Sequence, residues 1–314
     1  MFRLGSQAWR HYTRRLMADN RDSDASAAST EGLFSAPAPA TGGRPLGSPE
    51  APVPESAPGP TFKDPLAEAF RLISLAEASG LRVRLLGGLA FHARVPEWTA
   101  RVERERRDID LATRSRDRKE FTTLMAANGY LADRQYNALY GHKQLYFVDA
   151  ARGRPVDVLI DRMEMCHTFE FGDRLDLEGP TLPLAEMVLS KLQVVKINRK
   201  DILDVLAVFS DYPLAGTDDG AINVGRITRL TSSDWGWWRT VTANLDKLRL
   251  FFDVEVQPDE LDFRRPPKFD VPSQLVVLRA AIDASPKSTR WKLRSQVGDR
   301  VQWFQEPEEV GHGR

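Results

Sequence analysis

Two short apolar runs in this chain carry carboxylates that a strand would turn to one side: Arg107-Asp108-Ile109-Asp110-Leu111 and Pro155-Val156-Asp157-Val158-Leu159-Ile160. Side chains alternate across a strand, so Asp108 and Asp110 project together while Ile109 and Leu111 enter a core, and Asp157 projects between Val156 and Val158. Three clustered carboxylates repel one another unless a cation satisfies them. The pattern therefore asks for a sheet with one buried and one acidic face, and points to a divalent metal. A third segment, Leu85-Leu86-Gly87-Gly88-Leu89-Ala90, sets Gly-Gly between an alternating run and a helical one. Backbone amides there can approach a phosphate, and a helix N-terminus adds a favourable dipole. An isolated Gly-Gly is more often a plain tight turn, and neither a P-loop nor a dinucleotide fingerprint is present. Joined to the acids, the glycine turn indicates a nucleoside triphosphate.

Composition narrows the class. At 314 residues and 42% hydrophobic, the chain has material for two compact domains. Lys plus Arg (44) equals Asp plus Glu (44), so no whole-molecule field drives it toward nucleic acid or an anionic membrane. The single cysteine, Cys166, excludes an internal disulfide and fits a reducing, cytoplasmic setting. No run approaches the roughly 20 apolar residues of a membrane span. Residues 1–60 hold eight of the 20 prolines among Ala, Ser and Gly, and are expected to be a disordered tail. The basic, aromatic stretch 2–17 within it is assigned no role.

From residue 61 onward the periodicity predicts an α+β unit. A helix begins at Pro65, with Asp64 as N-cap, and is stopped by Gly80. Strands follow at 81–86 and 108–112, with helical spacing at 89–95 and a strongly charged loop at 96–107 between them. A helix spans 116–128, and strands 143–148 and 156–160 form a hairpin through the turn 149–154. Helices at 184–193 and 200–209 close a domain of residues 61–215, whose small mixed β-sheet carries the acids among flanking helices. Residues 221–306 change character and are expected to form a mainly helical C-terminal domain. Five of the seven tryptophans lie there (Trp235, Trp237, Trp238, Trp291 and Trp303), enough for a small core of its own or for base stacking, core being favoured. His92 and His142 are site candidates by proximity alone, and Cys166 reads as a buried, inert thiol.

On the residues Gly87, Gly88, Asp108, Asp110 and Asp157, the stretch 65–212 resembles the nucleotidyltransferase superfamily of the polymerase β type. More narrowly it resembles the bacterial AbiEii-like and minimal nucleotidyltransferases. The resemblance implies that Asp108 and Asp110 hold two Mg²⁺ or Mn²⁺ ions, that Asp157 joins one of them and helps activate the attacking hydroxyl, and that Gly87 and Gly88 seat the triphosphate, ATP or another NTP. Ser190-Lys191, Lys196, Arg199-Lys200-Asp201 and Asp204 resemble the Lys…Arg-Lys-Asp-x-x-Asp helix of that group. Lys191 would then reach the triphosphate, with Asp201 and Asp204 locking the helix, although a solvated helix face accounts for any one of these charges. The implied activity is metal-dependent transfer of a nucleoside monophosphate to a hydroxyl of RNA, protein or a small molecule, in a toxin–antitoxin or defence setting with an antitoxin partner. The alternative is a catalytically inactive nucleotide-binding scaffold or interaction protein, against which the intact acids argue. One departure is the 20-residue gap from Gly88 to Asp108, whose Arg101, Arg104, Arg106 and Arg107 alternate with Glu103 and Glu105.

Overall fold

The computed structural model describes residues 61–99, 108–177, 179–255 and 267–306. The tail 1–60 and the four arginines of the charged loop lie outside them. Asp64 caps the first helix as its sequence demands, its carboxylate accepting the Ala67 amide at 2.7 Å with Pro65 in the first turn. That helix, α1 (Pro65–Ala78), buries Leu66, Ala69, Phe70, Ile73 and Ala76 and ends at Gly80, whose φ of +77° suits only glycine without strain. There follow β1 (Val83–Leu86), α2 (Gly87–Arg94), α3 (Pro96–Thr99), β2 (Ile109–Thr113), α4 (Arg118–Ala127), β3 (Tyr130–Ala132) and α5 (Arg134–Tyr140). Next come β4 (Gln144–Asp149), β5 (Pro155–Ile160), the hairpin of β6 (Arg162–Glu164) and β7 (Thr168–Glu170), α6 (Leu184–Leu192) and α7 (Arg199–Asp211).

Most expected elements are found within two or three residues of their anticipated ends. The short ones, β3, α5, β6 and β7, were not anticipated. Seven residues carry too little periodic signal, so α5 is legible mainly through its cap: Asp133 accepts the Tyr136 amide at 2.8 Å. The residues expected to open α4 instead form a 3₁₀ turn, Ser115–Asp117.

Five strands make one mixed sheet in the order β1-β2-β5-β4-β3. β2 and β5 run parallel, and every other neighbouring pair is antiparallel. Strands β4 and β5 alternate strictly between half-exposed and buried residues, so one face carries Leu145, Phe147, Val156 and Val158 into the core. Helices α1 and α4 belong to that core through Phe70, Phe121 and Met125.

Beyond the sheet come β8 (Leu214–Ala215), β9 (Ile222–Asn223), α8 (Val224–Ser233), α9 (Trp235–Leu250), α10 (Val271–Ala284) and α11 (Thr289–Val297), a mainly helical region. Its apolar residues Trp237, Val241, Leu245, Leu275 and Ile282 join the same cluster as Leu85 and Val158. Polar contacts reinforce the join around α6. Asn244 of α9 donates to the carbonyls of Leu192 and Val194 at 2.8 and 2.9 Å, satisfying groups that a helix C-terminus leaves open. Glu186, fully buried on α6, accepts from Arg174 at 2.8 Å and Arg226 at 2.7 Å. The remaining tryptophans pack against one another, Trp235 with Trp238 and Trp303, and Trp238 with Trp291. No helix among the described residues is long and apolar enough to cross a membrane.

Candidate active site

Strand register brings the acids together. Asp110 of β2 is paired directly with Asp157 of β5, Leu86 of β1 lies opposite Asp110, and Tyr146 of β4 lies opposite Asp157. One row across the sheet thus reads Leu86, Asp110, Asp157, Tyr146, with neighbours about 5 Å apart. Asp110 and Asp157 are half-buried, while Ile109, Leu111, Val156 and Val158 on either side of them in sequence are fully buried. The two carboxylates therefore share the open face of the sheet. Asp108 is exposed just ahead of β2, and the period of two carries it to the same side.

The tyrosines report that convergence electrostatically. Burial raises the Tyr146 phenol above its ordinary range, and the negative charges of Asp157 and Asp108 raise it further. Tyr136 on α5 is raised by burial and then by Asp157. Each phenol would become an anion beside existing anions, so its neutral form is favoured.

Gly87 follows the row directly. It opens α2 at φ +66°, and an ideal Cβ built there would fall 1.9 Å from Oδ2 of Asp110. A side chain there would require the Asp110 carboxylate to move. The turn thereby lets the backbone at the start of α2 lie against the carboxylate, which is how a glycine turn and an acid can face one bound group. On the other side, the Gln144 side-chain amide donates to Oδ1 of Asp157. Sequence reasoning missed Gln144, Tyr136 and Tyr146. Positions 144 and 146 share a face by the same alternation that exposed the acids, but only the β4–β5 register puts them beside Asp157.

Lys191, expected to reach the triphosphate, makes its contacts here with the protein itself. Its ammonium hydrogen-bonds Asp201, lies 3.7 Å from Asp204, and sits 5.6 Å from the centre of the Phe91 ring on α2. Asn198 caps α7 by accepting the Asp201 amide at 2.9 Å and donates to the Asp201 carboxylate at 3.0 Å. Lys191 thus ties α6 and α7 together behind the helix that Gly87 opens. His92 lies on α2 as expected, His142 is exposed between α5 and β4, and Cys166 is buried.

Among the described residues, no group of three or more His, Cys, Asp or Glu side chains is placed to hold a metal ion by itself. The donor set nevertheless suits a hard cation of one kind. Mg²⁺ is usually bound through one or two carboxylates together with substrate phosphates, and Asp110 beside Asp157 supplies two. A cleft of about 630 Å³ opens elsewhere, between α9 and α10, lined by Trp235, Trp238, Arg239 and Arg279. Arg279 is engaged by Asp246 and Asp283 and Arg239 by Asp299, so the two arginines and the two carboxylates that line that cleft already neutralise one another.

No protein-family model matches the chain, and no curated protein matches it. Among solved structures, it is similar to the antibiotic-resistance factor ANT(2'')-Ia in a crystal structure with adenylyl-2''-tobramycin (15% identity, 45% of this chain and 86% of that one, TM-score 0.30). The solution structure of ANT(2'')-Ia aligns at 15% identity over 53% of this chain and 92% of the other, TM-score 0.33. A STING-associated CdnE c-di-GMP synthase from Capnocytophaga granulosa aligns at 14% identity over 74% of this chain and 88% of its own, TM-score 0.20.

Proposed function

We propose that the open face of the sheet is the active site of a nucleotidyltransferase, which moves a nucleoside monophosphate from a triphosphate to a hydroxyl. One observation carries the reading: Asp110 and Asp157 are side by side in register, with the Gly87 backbone pressed against Asp110. Paired half-buried carboxylates weaken a fold that has no cation to share between them. A glycine turn at a helix N-terminus is the complementary feature, a seat for the phosphates that such a cation accompanies.

Asp110 and Asp157, with Asp108 beside them, would hold divalent metal. When bound, that metal neutralises the triphosphate and its pyrophosphate leaving group and lowers the pKa of the acceptor hydroxyl. Gly87 and Gly88 seat the phosphates with backbone amides. The acceptor oxygen forms its bond to the α-phosphorus as the bond from that phosphorus to the bridging oxygen breaks. Pyrophosphate leaves with the bond's electron pair. The hydroxyl proton passes to Asp157, whose orientation Gln144 fixes. Lys191 acts from behind, holding α2 through Phe91 and anchoring α6 on α7.

Incubation with each α-labelled triphosphate, Mg²⁺ or Mn²⁺, and total cell RNA, protein or small-molecule extract tests the reading, alongside an Asp110→Asn variant. Label transfer that requires Asp110 supports it. Triphosphate binding with no transfer in either protein refutes it and returns the scaffold reading. The RNA and protein arms also address the toxin–antitoxin or defence setting, which is proposed from the sequence resemblance alone.

A further inference from the structure

The two ends of the carboxylate row differ in chemistry. Toward β1 it ends in a glycine turn with backbone against Asp110. Toward β4 it ends in aromatic side chains: Tyr146 directly beside Asp157, braced by Tyr136 with ring centres 6.0 Å apart and planes at 61°, and Tyr136 braced in turn by Tyr140 at 5.0 Å. Leu139, on the same helix as two of these rings, is 63% exposed. From this polarity we infer that the acceptor binds on the tyrosine side of Asp157, with its hydroxyl carried on or beside a ring that lies against Tyr146.

The inference rests on the nucleotidyl-transfer reading and follows from the geometry of displacement. Attacking and leaving oxygens must lie roughly in line on opposite sides of the phosphorus. With the phosphates seated at Gly87, pyrophosphate leaves toward β1, so the attacking oxygen arrives from the direction of β4. Asp110 and Tyr146 are two strand spacings apart, about 10 Å, which accommodates an α-phosphate and a hydroxyl between them. Asp157 occupies the middle of the row, where the proton is released. The surface met by the rest of the acceptor is then a half-buried phenol whose ring packs against that of Tyr136. A rigid aromatic face of this kind recognises another ring through stacking and contact area, and gains little from an open-chain alcohol. A nucleoside and a free sugar are the two hydroxyl-bearing ring sources that a titration can tell apart.

Calorimetric titration of the full chain separates these sources. The protein is saturated with Mg²⁺ and an α,β-methylene triphosphate to fill the donor side, then titrated with adenosine, with methyl glucoside, and with glycerol as the open-chain control. At least one ring compound is expected to bind. Tyr146→Ala should weaken it on the order of 10- to 100-fold, Tyr146→Phe should leave it nearly unchanged, and neither variant should alter binding of the analogue. Adenosine as the better probe identifies a nucleoside-bearing acceptor, and methyl glucoside a carbohydrate. The inference is overturned if neither ring compound binds, if glycerol binds equally well, or if Tyr146→Ala weakens the analogue instead. Failure of the analogue to bind wild-type protein would remove the nucleotidyl-transfer reading itself. The ring titration without analogue then still decides whether Tyr146 is a binding surface.

Discussion

Substituting Gly87 by alanine introduces two separable penalties, and a second glycine in the same fold isolates one of them. The first is conformational: at φ +66° an L-residue crowds its own backbone, which costs about 1 to 2 kcal/mol. Gly80 has the same liability at φ +77°, but an added Cβ there meets nothing within 4 Å. The second penalty belongs to Gly87 alone. Its Cβ would stand 1.9 Å from Oδ2, 2.6 Å from Cγ and 3.0 Å from Cβ of Asp110, so the carboxylate must retreat by roughly 1.5 Å to restore van der Waals contact. Asp110 is held in a strand paired on both sides, so the retreat displaces the carboxylate rather than the sheet. Misplacing a reacting group by about 1 Å costs about 100-fold in rate. Gly80→Ala is therefore expected to lose about 1 kcal/mol in urea denaturation with its label-transfer rate unchanged. Gly87→Ala should lose roughly 1 to 3 kcal/mol and at least about 100-fold in transfer. If Gly87→Ala transferred label as fast as Gly80→Ala at similar stability, the contact between turn and carboxylate would have no catalytic meaning.

Two further outcomes probe the scaffold around the site. Lys191→Met strands Asp201 and Asp204, both largely buried, without their shared cation, and should cost about 3 kcal/mol in urea denaturation. Adding Asp201→Asn should recover part of that loss, and a cost below about 1 kcal/mol would show that the pair is solvated in practice. His167 packs its ring 5.0 Å from Trp237 and contacts Thr240 through Nε2 at 2.8 Å, and burial lowers its pKa from 6.5 to about 4. Because the folded value is the lower one, the contribution is fully present above about pH 6.5 and is lost as pH falls toward 4. The wild type should lose about 3 kcal/mol more stability between pH 7 and pH 4 than His167→Gln does, and parallel losses would refute the assignment.

The acid pattern at Asp108, Asp110 and Asp157 was readable because each signal is local. A period of two within five or six residues decides which side a residue takes, and fully buried neighbours make the alternation unambiguous. The Asp64 cap was readable for the same reason, lying three residues from the amide it accepts, whereas the Asn198 cap emerged only in the structure. Lys191 was legible as a member of a charged cluster but not in its geometry. Phe91, a hundred residues earlier, marks the face of α2 that the ammonium supports. Gln144 and Tyr146 carried the right alternation and went unnoticed, because nothing local says which residue of the neighbouring strand each will meet.

The chain by itself determines that it contains a small sheet with one acidic face, a glycine turn able to approach a phosphate, and helical segments after it, since all of these follow from side-chain periodicity and backbone sterics over a few residues. Only the tertiary structure decides that β2 lies between β1 and β5, that Asp110 meets Asp157, and that the row runs from glycine to tyrosine. Strand order and register depend on burying all the apolar faces at once, including those of α9 and α10, and that sum over the whole core has no counterpart in any single segment.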